Sequence, residues 1–157
     1  MVSRTADAPN RTYRSRMLID GHEIESSLAR ERLWDELVSL ENISEWSALE
    51  ECVSTDSPVL DPASSYVCKH HNGLHGVDAT VHVADFRAGQ CLALRTETPM
   101  ADLLETIELH DHLTGSRLTY SVDATSASFG PAATVWLHRH VVFVCEKLNQ
   151  FANRELV

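Results

Sequence analysis

The stretch PAATVWLHRHVVFVCEKLNQFANRE, residues 131–155, decides the fold. Leu137, Val141, Val144, Leu148 and Phe151 recur at helical spacing and make one apolar stripe. Arg139, Glu146, Gln150 and Asn153 fall on the other side. Pro131 suits a first helical turn, where a missing N–H costs little. The spacing predicts a single long helix from Pro131 to Glu155.

Upstream, from Leu49 to Thr125, the pattern has period two. Strand-like runs are Leu49–Thr55, Ser65–His71, Gly76–Phe86, Cys91–Thr98, Leu103–His110 and Arg117–Thr125. Turn residues separate them, with hairpin signals at Asn72-Gly73 and Thr114-Gly115. Further out, Met17 to Ser26 reads as a first strand. SLARERLWDELVSLENISEW then reads as an amphipathic helix capped by Ser26 or Ser27, followed by a short second helix ending at Trp46. The order is strand, two helices, six strands, long helix. A seven-stranded antiparallel sheet has one face to cover, and one long helix is available to cover it. The economical arrangement is α+β, a helix-grip fold in which a curved sheet wraps the C-terminal helix. A hollow is expected between the sheet, that helix and the two short ones.

The chain has 157 residues, which suits one domain. Residues 1–16, polar and basic, are expected to form a disordered N-terminal arm, and residues 17–157 the domain. The formal net charge of −10 repels phosphate backbones and anionic head groups, so nucleic acid is not an expected partner. No apolar run has the roughly 20 residues of a membrane span. Cys52, Cys68, Cys91 and Cys145 form no CxxC pair, and the expectation is four free thiols in the cytoplasm. Trp136 is placed near the polar side of the last helix, over a sheet edge or in a homodimer contact.

The stretch LARERLWDELVSLENISEWSALEECV, residues 28–53, resembles the START/Bet v 1-like (SRPBCC) superfamily, in particular its polyketide cyclase/dehydrase branch. Leu33-Trp34 stands where the family has a Val/Leu-Trp pair. Leu40-Glu41-Asn42 to Trp46 stands at its acidic turn ending in Trp. Gly115 to Tyr120 is similar to its Gly-Thr-Arg-Val-Thr strand. The chain departs at Ala29-Arg30, where the family often has Ser-Pro. The resemblance implies a pocket for a small hydrophobic molecule. It also implies either a cofactor-free cyclase, aromatase or dehydratase, or a carrier for a lipid, quinone or hydrophobic metabolite.

Nine histidines in this length are many, and imidazole moves protons near neutral pH. Tyr66, Cys68 and His70 share a strand face, as do Leu118, Tyr120 and Val122. The expected catalytic residues are His70 with Tyr120, and His138 as an alternate base. The expected ligand-binding residues are Trp46, Tyr66, Cys68, Val81, Val83, Ile107, Leu109, Val122, Val141 and Cys145. Asp102, Glu105 and Glu108 alternate between faces and are expected in solvent. His110 and His112 share a face, but no HExxH spacing is present, so no metal site is expected.

Overall fold

The computed structural model describes residues 15–52, 57–72, 75–126 and 130–154. The element order is β1 (Ser15–Ser26), α1 (Arg30–Leu37), a 3-10 turn (Leu40–Asn42), α2 (Ile43–Trp46), β2 (Leu49–Glu50), β3 (Ser65–Asn72), β4 (His75–Arg87), β5 (Cys91–Glu97), β6 (Asp102–His112), β7 (Gly115–Ser126) and α3 (Pro131–Ala152). The strands form one antiparallel sheet in the order β1-β7-β6-β5-β4-β3-β2. This is the helix-grip arrangement. β1 begins at Ser15 and Arg16 pairs with Asp123, so the first strand takes in two residues expected in the arm. The rest of that arm lies outside the described residues. β2 is shorter than expected, and residues 53–56 of that run also lie outside them.

Alternation is strict along β7, where every second residue from Ser116 to Ser126 is buried. Its inner residues meet those of β6: Leu103 pairs with Ala124, Glu105 with Val122, Ile107 with Tyr120 and Leu109 with Leu118. Register slips between Ile19 and His22 in β1 and between Val83 and Asp85 in β4. Such irregularities sharpen local twist and let a sheet curl. Trp34 packs α1 onto the sheet edge-on to Phe86, with ring centres 5.2 Å apart. Trp46 is buried and donates its indole N–H to the Leu37 carbonyl at 3.1 Å.

Two local expectations are corrected. α1 is preceded by Ala29, with no side-chain cap. Ser26 instead donates its hydroxyl to the Ala152 carbonyl at 2.5 Å and accepts the Leu28 N–H, so it ties β1 to the end of α3. The β6–β7 turn is centred on Leu113-Thr114, with Leu113 at φ 44°, one residue before the expected dipeptide. Gly115 is needed for a different reason. A Cβ there would sit 2.1 Å from the Ser26 carbonyl oxygen, so only glycine allows β7 to start this close to the end of β1.

The C-terminal half of α3 is bolted down. Lys147 reaches the carbonyls of Ser44 and Ser47, Arg154 pairs with Glu36 and Glu45, and Asn153 donates to the Glu25 carbonyl. Leu137, Val141, Val144, Leu148 and Phe151 enter the core, as the stripe predicts. Cys52 and Cys68 are disulfide-bonded, which corrects the expectation of four free thiols; Cys91 and Cys145 are free. Pairing of Leu49 with His70 and Glu50 with Lys69 brings the two segments side by side. The cytoplasmic expectation, which rested on thiols throughout, loses that support. No described helix is long and apolar enough to cross a membrane.

Candidate functional site

One hollow of about 770 Å³ borders the N-terminal half of α3. It is lined by His71, Pro131, Ala132, Val135, Trp136, Arg139, His140 and Phe143. Ala132, Trp136, Arg139 or His140, and Phe143 stand at i, i+4, i+7 or i+8, and i+11, so they form one flank of the helix. This flank lies beside the core stripe. A volume of this size suits a drug-sized organic molecule.

Behind the wall lies a buried polar cluster. Glu105 projects inward from β6 between Leu103 and Ile107. Its Oε2 accepts the Tyr120 hydroxyl at 2.5 Å and lies 3.0 Å from His140 Nε2. With Glu105 ionised, Nε2 carries the proton and donates it to the carboxylate. In that tautomer the other nitrogen, Nδ1, carries the lone pair. His70 stacks on His140 at 5.2 Å, and Trp136 stacks on His140 at 5.6 Å. His70 is fully buried, and neither of its nitrogens has a partner among the described residues. The buried Thr96 Oγ1 shares that condition.

The electrostatics follow from this packing. Burial acts most strongly on Glu105 and pushes its pKa up. The charge and hydrogen bond of His140, the Tyr120 hydroxyl and the nearby His70 together outweigh it, so the carboxyl titrates below its ordinary value. Burial, then repulsion from His140, lowers His70 to about 4, so its ring is neutral at pH 7. Burial and then the Glu105 charge hold Tyr120 well above its ordinary value, as a donor. The same two causes push the Cys145 thiol up to about 11.

Of the residues singled out in the sequence, His70 and Tyr120 belong to this cluster, although Tyr120 spends its hydroxyl on Glu105. His138 is exposed and outside it. The buried helix histidine is His140, which stands three residues after Leu137 and four before Val144. That position marks it as part of the apolar stripe. Trp136 is half-buried and packs against the rings of His140 and of His70, the latter on β3, the strand next to the sheet's edge. Glu105 is buried, which corrects its placement in solvent; it shares parity with Ile107 and Leu109, expected to bind ligand, and so lies on their side of the strand. Trp46, Tyr66, Cys68, Val81, Ile107, Leu109, Val122 and Val141 are buried core, while Val83 and Cys145 are half-buried. None of these ten is among the residues lining the hollow, which lies on the helix flank instead of at the centre of the sheet. Among the described residues, no group of three His, Cys, Asp or Glu side chains is placed to hold a metal ion.

Sheet, grip helix and flanking hollow define the START/Bet v 1-like fold. The crystal structure of Ara h 8.0201 shares it, with a TM-score of 0.64 and 8% identity over 88% of this chain and 98% of that one. The crystal structure of Mll3558 protein from Rhizobium loti superposes at 0.62 with 18% identity, over 87% of this chain and 96% of that one. The protein of unknown function SA2116 from Staphylococcus aureus does so at 0.64 with 7% identity, over 88% and 94%. At such identities the likeness establishes the fold. No known family profile matches the sequence. No curated protein matches it either.

Proposed function

We propose that the chain binds a small hydrophobic molecule in the α3 hollow and transfers protons on it without a cofactor, as a cyclase, aromatase or dehydratase does. The observation that carries this is the hydrogen-bonded Tyr120–Glu105–His140 set, with His140 forming part of the hollow's wall. Glu105 fixes the His140 tautomer and would stabilise its imidazolium, as a buried carboxylate does for a catalytic histidine. Tyr120 holds Glu105, and the His140 ring packs against both His70 and Trp136, which also lie 6.0 Å from each other. Nδ1 of His140 takes a proton from carbon next to a ligand carbonyl, giving an enolate. The imidazolium then returns that proton to a β-hydroxyl leaving group, which departs as water. Base and acid are the same ring, so the protons balance. The apolar side chains of Pro131, Ala132, Val135, Trp136 and Phe143 offer a surface that seats the carbon skeleton.

The same apolar wall favours a second reading, a carrier for a lipid, quinone or hydrophobic metabolite. A bicyclic ketone, 2-tetralone, separates the two. Native protein is expected to exchange its acidic α-protons in D2O faster than buffer, followed by NMR, and His140→Ala to fall to the buffer rate. Binding of the ketone with exchange at the buffer rate would refute proton transfer and leave the carrier.

A further inference from the structure

The hollow belongs to a protein of net charge −10, yet no acidic residue lines it. Its polar lining is His71, Arg139 and His140, and Arg139 is the one permanent cation among them. Arg139, like Arg32, Arg95 and Arg117, forms no ion pair with a carboxylate among the described residues, and of these four it is the one that lines the hollow. An unneutralised guanidinium beside an apolar cavity is a receptor for an anion. Beside Pro131, Ala132 and Val135, the lining presents the rings of Trp136 and Phe143. His71 and Phe143 stack at 4.6 Å with planes 11° apart. Trp136 and His140 are 20° apart.

Charge also sets direction. Glu105 stands behind His140, so an anionic end directed inward would meet a buried carboxylate. Directed toward Arg139, it meets a cation. The neutral end of the ligand is then the one presented to His140.

We propose that the natural ligand is a planar aromatic or conjugated acid, its ring against Trp136 and the His71–Phe143 pair and its carboxylate on Arg139. The inference rests on the hollow being the ligand site, and it adds the ligand's chemical class and its orientation.

The test uses 2-naphthoate and its neutral isostere 2-naphthamide, titrated calorimetrically into the whole protein at pH 8 in low salt. The acid is expected to bind about three- to fivefold more tightly, the worth of one ion pair on an exposed guanidinium. Arg139→Gln is expected to abolish that preference and leave naphthamide binding unchanged; Arg139→Lys is expected to keep part of it. Added salt is expected to narrow it. Equal affinities in native protein, or a preference that survives Arg139→Gln, would overturn the anion assignment while the hollow remains a ligand site. Failure of both probes to bind would overturn the hollow itself.

Discussion

Replacing His70 by leucine is expected to stabilise the protein, and more so as the pH falls. At neutral pH the native ring buries two nitrogens without partners. Each such group costs about 1–3 kcal/mol, partly offset by stacking on His140 and Trp136 worth about 1 kcal/mol. Leucine, of similar volume, removes the unpaired nitrogens, so a net gain of at least about 1 kcal/mol is expected at pH 7. The acid limb is larger. His70 titrates at about 4 in the fold against an ordinary 6.5. The folded state therefore binds fewer protons than the unfolded chain between these values, and the contribution present above pH 6.5 is lost as the pH falls toward 4. At about 1.4 kcal/mol per pH unit, the native protein loses about 2 kcal/mol by pH 5 and about 3 kcal/mol by pH 4 from this residue. The leucine variant does not. Urea unfolding of both proteins at pH 7, 6, 5 and 4.5 measures the difference, in which the titrating groups outside the His70–His140–Glu105 cluster cancel. A gap that stays constant with pH, or a variant less stable than native at pH 7, would refute this account of the His70 environment.

Other perturbations test the neighbouring contacts. Glu105→Ala strands the Tyr120 hydroxyl and His140 Nε2 in the interior and is expected to cost about 3–5 kcal/mol, read by the same urea transitions. Gly115→Ala forces a methyl into the Ser26 carbonyl and is expected to cost more than about 2 kcal/mol. Its Tm should fall well below that of a control, Gly130→Ala, where a Cβ meets nothing within 4 Å. Cys52→Ser opens a loop with a sequence separation of 16 and is expected to cost about 3 kcal/mol, with dithiothreitol reproducing the loss in native protein only.

The fold was legible because its two signals are long. Leu137, Val141, Val144, Leu148 and Phe151 mark the grip helix over four turns, and alternation along β6 and β7 marks the sheet. The site was less legible because a buried charge resembles a surface one in sequence. Glu105 shares parity with Leu103, Ile107 and Leu109, and only that parity says it faces inward. His140 sits in the apolar stripe, two residues from the expected base His138, which falls on the flank of that stripe. The hollow escaped because it uses a second helix flank whose Arg139 reads as polar surface. Cys52 and Cys68 meet through β2–β3 register, which spacing in the chain does not reveal.

The most direct test of the central claim is a long-range ¹H–¹⁵N spectrum of the imidazole nitrogens, recorded while a neutral hydrophobic ketone is added. The account predicts that His140 appears as the Nε2–H tautomer and that its Nδ1 resonance moves on binding, while His138 and His110 stay still. A His140 protonated at Nδ1, or a ligand that leaves both of its nitrogens unchanged, would contradict it.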